Sequence, residues 1–379
     1  MAASTGTLGC PQTYSVEVIY TPRNDEALLE FWRQPRLPNV AKVEYGRVLN
    51  QTSQATITVA TDQLSRACCE QLAALDYWVF EARIWRDGLA VWEGPMTAFR
   101  HTTQGEPLTI TAHDVTDWFN GPYGILNTRN VNYTSKELVT DLAVEIVRAQ
   151  LDVLTPPDHP KITGYLDTLP GGRRISYRRG VVHEYLADTI ADLQQYGLDW
   201  TTMGRQVIYM PPATSRNRPP IARLTDGDIT DSVSLVRDGH QLGTVGWGSK
   251  TNTNGTVTRV SYGSTRSYYG RHDRVNDVQD QDADTGDLRE AARAALAGRT
   301  GPQVTLTLPG TATLRPTAPI TMEQLVPGQV VRMGVLGLCE QVQALLMIAD
   351  VSVTWVPGLE EVKVGLTQLG DVEEFPEVI

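Results

Sequence analysis

The stretch YWVFEARIWRDGLAVWEGPMTAFRHTTQGEPLTITAHDVTDWF, residues 77–119, decides the fold. At its centre Asp87-Gly88 is a two-residue hairpin signal, because a type I′ turn needs positive φ at both central positions. Counting back from that turn sets Ile84 against Val91 and Arg83 against Trp92, so a guanidinium is expected on an indole face across the ladder. Gly94-Pro95 is expected to break the second strand at a bulge or an edge, since proline has no N–H to give to a ladder. Leu108, Ile110 and Ala112 then alternate with Thr109, Thr111 and His113, which predicts a third strand with one apolar face. Strands interrupted this way curl, and the expectation is a small barrel or a strongly twisted sheet.

Upstream, residues 12–20, 42–50 and 55–60 read as strands, with Tyr14, Val16 and Val18 alternating against polar neighbours in the first. Pro22, Pro35 and Pro38 make a loop between the first two, with a helical turn expected at 26–32. Thr61 or Asp62 is expected to cap a helix that puts Leu64, Cys68, Leu72 and Leu75 on one face. Residues 1–120 therefore read as one β-rich barrel unit with a packed helix.

Downstream the hydrophobic period changes. Thr134 and Glu137 have capping-box spacing ahead of a helix carrying Leu138, Leu142, Ile146 and Val147, with Pro156, Pro157 and Pro160 beyond it. A second helix puts Val182, Leu186, Ile190 and Leu193 inward and has Gly197 as its natural C-cap. Residues 200–210 return to strand and 211–220, with proline pairs at both ends, reads as a linker. Residues 121–215 are thus an inserted α/β domain. From 216 to 379 strands dominate again: Asn254-Gly255 signals a hairpin, and Val304, Leu306 and Leu308 alternate. Val351, Val353 and Trp355 lead to a turn at Pro357-Gly358, and Val362, Val364 and Leu366 return from it. An acidic loop with Asp273, Asp277, Asp280, Asp282 and Asp284, and an alanine-rich helix ending at Gly298, are inserted near 264–300. The fold class is α+β and mostly β: two small barrel-like domains, each with a packed helix, and an α/β domain between them.

A chain of 379 residues suggests two or three domains, and 41% apolar with 20% charged residues suffices for a buried core. The net charge of -11 argues against a sequence-specific DNA binder, whose footprint is basic. Residues 1–10 show neither the basic nor the apolar region of a signal peptide, and the longest apolar run, 344–349, is too short to span a bilayer. Cys10, Cys68, Cys69 and Cys339 form no C-x-x-C and read as thiols made in a reducing cytosol.

No catalytic or cofactor motif stands out. His183-Glu184 begins like a zinc-protease helix, but Ala187 occupies the second histidine position. Asp280, Asp282 and Asp284 have calcium-loop spacing, but Thr285 and Ala291 stand where a glycine and a bidentate glutamate belong, so the acids are expected to be solvated and to favour the following helix N-terminus. Glu360-Glu361 lies in turn sequence and is expected to be exposed. Arg173, Arg174, Arg178 and Arg179 make the one dense basic cluster, an assembly interface or a solvated loop, with nucleic-acid contact a distant third.

The run Arg47-Val48-Leu49-Asn50, then Ser53-Gln54-Ala55, Cys68, Tyr77, Arg86-Asp87-Gly88 and Val91-Trp92-Glu93-Gly94-Pro95, resembles the amino-terminal barrel of tail-tip (baseplate) hub proteins, or minor tail proteins, of actinobacterial siphophages. Tyr269-Gly270-Arg271, the acidic loop, the alanine-rich helix and the strand at 325–331 with its Pro-Gly turn resemble the same family's closing barrel, so that the likeness covers most of the chain. It implies a structural virion protein of the tail tip, assembled in the host cytoplasm. In this family a homotrimer builds a pseudo-sixfold ring from two barrels per subunit. The ring sits on the distal tail protein ring, encloses the C-terminal end of the tape measure protein and carries spike, fibre or other minor tail proteins. DNA is met only in transit. The resemblance implies no enzyme activity, no cofactor and no metal, and, since the chain ends soon after the closing barrel, no peptidoglycan-cleaving domain. A different tail-tip component (a distal tail or receptor-binding protein) or a virion-associated cell-wall hydrolase are the alternatives. Trp78, Trp85, Trp92 and Trp118 are expected to serve the core or the subunit contacts of the first barrel, and Trp355 those of the last.

Overall fold

The turn at Asp87-Gly88 has both residues at positive φ, 49° and 83°, as a type I′ hairpin requires. Around it the computed structural model describes residues 8, 13–20, 36–61, 66–73, 75–101, 107–120, 126–127, 131–151, 165–169, 171–179, 184–213, 218–240, 242–263, 268–280, 283–296, 303–308, 310–337, 341–369 and 373–374. The expected helical turn at 26–32, the cap at Asp62, the prolines at 156, 157 and 160, and Val182, His183, Asp282 and Gly298 lie outside the described residues, as do the side chains of Cys10, Cys69 and Cys339.

In chain order the first segment gives β1 (Tyr14–Tyr20), β2 (Val40–Val48), β3 (Gln54–Val59), α1 (Arg66–Ala73), β4 (Phe80–Arg86), β5 (Leu89–Arg100), β6 (Leu108–His113) and α2 (Asp117–Asn120). The second gives β7 (Leu126–Asn127), β8 (Val131–Leu138), α3 (Val139–Leu151), β9 (Leu166–Thr168), β10 (Arg174–Arg179), β11 (Glu184–Tyr185), α4 (Leu186–Gln194), β12 (Asp199–Met203), β13 (Gln206–Met210) and β14 (Ala222–Thr225). The third gives β15 (Ser234–Asp238), β16 (Val245–Thr251), β17 (Val257–Gly263), β18 (Asp273–Asp277), α5 (Thr285–Leu296) and β19 (Gln303–Thr307). The last gives β20 (Ala312–Leu314), β21 (Val330–Val335), β22 (Val342–Val356) and β23 (Leu359–Gln368). The class is α+β and mostly β. No helix among the described residues is long and apolar enough to cross a membrane.

Two compact units are present, Met1–Ser232 with Pro309–Gly370, and Val233–Leu308 with Asp371–Ile379. In the first, one sheet runs β1-β4-β5-β6-β3-β2-β22-β21-β14, with β23 also on β22 and β20 on β23. Its middle joint is the antiparallel pairing of β2 with β22, from Val43 opposite Trp355 to Val48 opposite Asp350. Period-2 burial of Val43, Tyr45 and Arg47, and of Ala55, Ile57 and Val59, puts these strands on one core.

Three expectations for the central stretch are corrected. Between Ile84 and Trp85 the ladder shifts, so Ile84 stands opposite Trp92 and Arg83 opposite Glu93. Val91 is the extra residue of that bulge, and the arginine meets a carboxylate across the ladder. Gly94-Pro95 does not end the strand: β5 continues through it and changes partner, pairing with β4 up to Pro95 and with β6 from Met96, and the expected bulge follows at Thr97, where the β6 register shifts. Gly94 is required there because a Cβ would overlap the carbonyl oxygen of His113 and the backbone of Asp114.

The α/β part departs from expectation at its start. Thr134 and Glu137 lie inside β8, whose Glu137 and Leu138 pair with Ile175 and Arg174 of β10, so the helix begins only at Val139 and the capping-box reading fails. Ladder hydrogen bonds to β10 satisfy the backbone that the cap was meant to serve. Leu142, Ile146 and Val147 of α3 are buried as the spacing required, together with Leu186, Ile190 and Leu193 of α4, Trp200 and Tyr209. The helix α4 is capped at Gln195, and Gly197, at φ 87°, turns the chain into β12. Residues 200–210 form a hairpin, β12 on β13, not one strand. Within 211–220, residues 214–217 lie outside the described residues, and the buried Arg218 donates to the carbonyl oxygens of Pro211 and Gly328.

In the second unit Asn254-Gly255 makes the expected hairpin, β16 with β17. Asp273 and Asp277 are not in a loop: they begin and end β18, which pairs parallel to β16. The helix α5 packs on Gly246 and Gly248, where a Cβ would overlap the carbonyl oxygens of Ala292 and Leu288.

Candidate functional site

The strands of the first unit bring charged residues inward at three places, and those clusters hold segments far apart in sequence. At the β2–β22 joint, Arg86 makes a two-pronged ion pair with Glu360, Nε to Oε1 at 2.7 Å and Nη2 to Oε2 at 2.9 Å. The Tyr14 hydroxyl donates to the same carboxylate at 2.9 Å and lies 3.2 Å from the Tyr45 hydroxyl. Burial pushes the Tyr14 and Tyr45 phenols up. Burial alone would lower the Arg86 guanidinium, but Glu360 more than offsets it and raises it. Glu360 is therefore not exposed, as turn sequence suggested. It shares parity with Val362 and Val364 on β23 and turns inward with them, while Glu361 faces outward and pairs with Lys363. Beside it, Arg47 donates to the carbonyl oxygens of Met322, Leu325 and Val91 at 2.9–3.0 Å, so a buried cation is held by backbone acceptors.

A second cluster fastens the β12–β13 hairpin to the β4–β5 hairpin. Arg205, in the turn of the former, pairs with Glu81 and, at 2.6 Å, with Glu93; Arg83 closes on Glu93 from the other side. Burial raises the Glu81 carboxyl, with Arg205 pulling the other way. Burial would lower Arg205, but the two carboxylates outweigh it and raise it. The third cluster is centred on the fully buried Asp114, which accepts from Ser53 N and Oγ at 2.6 Å, from Thr116 N at 2.9 Å and from Thr202 Oγ1 at 3.2 Å. Burial raises its carboxyl against those donors. The first two clusters pair arginine with glutamate, and Asp114 is held by neutral amide and hydroxyl donors; buried and hydrogen-bonded, all three suit the fixing of a geometry.

The tryptophans divide around these clusters. Trp92 is buried and donates to Ser53 Oγ at 3.1 Å. Trp85 is half-buried, donates to Glu17 at 2.9 Å and lies under the Arg83 guanidinium. Trp78, at φ 63°, meets Trp118 edge-on with centroids 5.1 Å apart. Trp355 stacks on Tyr14 at 5.0 Å. Of the basic cluster, Arg174 and Arg178 point outward from β10 while Ile175 and Tyr177 point in, and Arg173 is exposed just before the strand. Arg179 ends β10, with its side chain outside the described residues. So Arg174 and Arg178 lie on a strand face and not in a loop. Asp284 caps α5, accepting from Asp287 N at 2.9 Å while its own N–H is bound by Asp287. Among the described residues no group of three His, Cys, Asp or Glu is placed to hold a metal. Clefts among the described residues of the first unit include one of about 320 Å³ beside Gln51, Asp188 and Gln194 and one of about 500 Å³ beside Ser15, Arg36 and Trp85.

The arrangement has solved counterparts. A tail protein from Neisseria meningitidis MC58 superposes with a TM-score of 0.50 at 14% identity, over 93% of this chain and 96% of that one. The 43 kDa tail protein of prophage MuSo2 from Shewanella oneidensis does so with a TM-score of 0.50 at 11% identity, over 93% and 98%. The chain shares its fold with tail proteins. At these identities the likeness is one of fold. No protein-family model matches the chain, and no curated protein matches it.

The buried arginines and acids are what sequence reasoning missed. Period 2 was a usable signal for two of them, since Arg47 follows Val43 and Tyr45 in parity and Glu360 precedes Val362 and Val364. For Glu81 and Glu93 no local signal existed, because both faces of β4 and β5 are covered near the bulge.

Proposed function

We propose that this protein is a structural component of a phage tail tip, the trimeric hub on which the distal tail ring, the tape measure end and the spike or fibre proteins meet. The observation that carries this reading is the fold match over nearly the whole length of two tail proteins. The sheet that joins the first and last segments through β2 and β22 supports it, because a subunit that must meet a six-fold partner with three copies needs two comparable faces per chain. In this reading residues 1–120 and 216–379 supply the two barrel-like domains and 121–215 an α/β domain between them. Trp85 and Trp355, half-buried at the surface of the first unit, serve subunit contact, and the β10 arginines meet an acidic neighbour in the assembly. The net charge of -11 suits a conduit through which DNA passes without adhering. The protein works by assembly and not by catalysis, at the tip of the virion.

Reconstitution with the distal tail protein and averaging of the particles by electron microscopy tests the reading. Three copies around the axis are expected. Six copies, or copies at the periphery, would make it a distal tail or receptor-binding component instead. Clearing of actinobacterial peptidoglycan in a zymogram would overturn the non-enzymatic assignment.

A further inference from the structure

In the unit formed by Val233–Leu308, β16 is the middle of three strands, antiparallel to β17 and parallel to β18. One face is closed by α5, whose Leu288 and Ala292 carbonyls press on Gly248 and Gly246. Alternation then puts Arg259, Ser249 and Asp277 in a single rung on the other face, and Ser261, Trp247 and Val275 in the next. Among the described residues no strand pairs with the outer edge of β17 or of β18, so each presents unpaired N–H and C=O groups. Both edges expose large apolar side chains, Val257 at 51% and Val275 at 55%.

The two edges are opposite in charge. β17 carries Arg259 and no acid, whereas β18 carries Asp273 and Asp277. The one cation of β18, Arg274, lies on the α5 side and donates to the carbonyl oxygens of Leu242 and His240. Asp273 is engaged by Trp247 Nε1 at 2.9 Å and by Arg271. Arg259 and Asp277 are exposed, and neither forms an ion pair with a described residue. Pairing like edges would bring arginine toward arginine or aspartate toward aspartate. Pairing unlike edges brings each charge to its complement.

We infer that the β17 edge of one copy joins the β18 edge of a second copy, antiparallel, with Arg259 beside the neighbouring copy's Asp277 in a shared rung. Because β17 and β18 run in opposite directions, this pairing extends the sheet without reversing it. The contact is heterologous, and a rotation of one third of a turn per copy closes it into a three-membered ring. The inference rests on the reading of the chain as a ring subunit and names the surface that joins its copies.

The test compares the intact chain with Arg259→Asp, Asp277→Arg and the double exchange, by native mass and sedimentation over a concentration series. Each single exchange is expected to weaken self-association by about tenfold or more, and the double exchange to restore it. Melting profiles are expected to match the parent, since both side chains are exposed. A second measurement mixes Arg259→Cys with Asp277→Cys under oxidising conditions, where a disulfide-linked dimer of the two variants is expected. Trimers that form equally well in all the exchanges, or a double exchange that restores nothing, would overturn the inference and leave the hub reading standing. A wild-type chain that stays single at every concentration would remove both.

Discussion

Arg205 carries two carboxylates, Glu81 and Glu93, and all three are buried. Removing the cation strands Glu81 away from water and leaves Glu93 with Arg83 as its remaining cation. Arg205→Ala is therefore expected to cost about 3–5 kcal/mol, read as a lowered melting temperature. Glu81→Gln is expected to cost less, because Glu93 still holds the arginine. At His113, the hydrogen bond at 2.8 Å to the Asp117 carboxylate raises the imidazole above its usual 6.5, with burial opposing. A group whose folded pKa is raised contributes stability fully below its unfolded pKa, and that contribution fades as pH rises through the folded one. An NMR titration is expected to place His113 above 6.5 and Asp117→Asn to bring it back down. An unshifted His113 in the parent would show that the contact does not hold in solution. Such buried charges were legible only where strand parity reached them. Arg47 and Glu360 follow the inward residues of their own strands, but the acids facing Arg205 depend on a hairpin more than a hundred residues away.

Turns were the most readable features, because Asp87-Gly88, Asn254-Gly255 and Pro357-Gly358 each meet a local backbone demand that few residues satisfy. Register was not readable past the first rungs. The change of partner at Gly94-Pro95 is set by β6, which pairs with β5 from Met96, and beside the bulge at Val91 the neighbouring Trp92 bridges to Gly204, far outside the hairpin. The false capping box at Thr134 shows the same limit: side-chain spacing suited a helix start, and a neighbouring strand claimed the backbone first. In the second unit, Gly248 lets α5 lie directly on β16. Gly248→Ala is expected to push the helix off by overpacking, at about 1–3 kcal/mol. Hydrogen exchange of the α5 amides should rise with it, and unchanged protection would show that the helix does not depend on this contact.

Across the whole chain, α+β class and strand dominance were legible from periodicity, because alternation and helical spacing survive without knowledge of partners. The β2–β22 joint was not, since it pairs strands some three hundred residues apart and nothing local marks them as neighbours. That joint, braced by the Arg86–Glu360 pair, holds the first and last segments in one sheet. The mass of the purified chain in solution tests the account most directly. A species at three times the chain mass, forming with rising concentration, is the predicted result. A single-chain mass at every concentration, or a six-membered species, would contradict it.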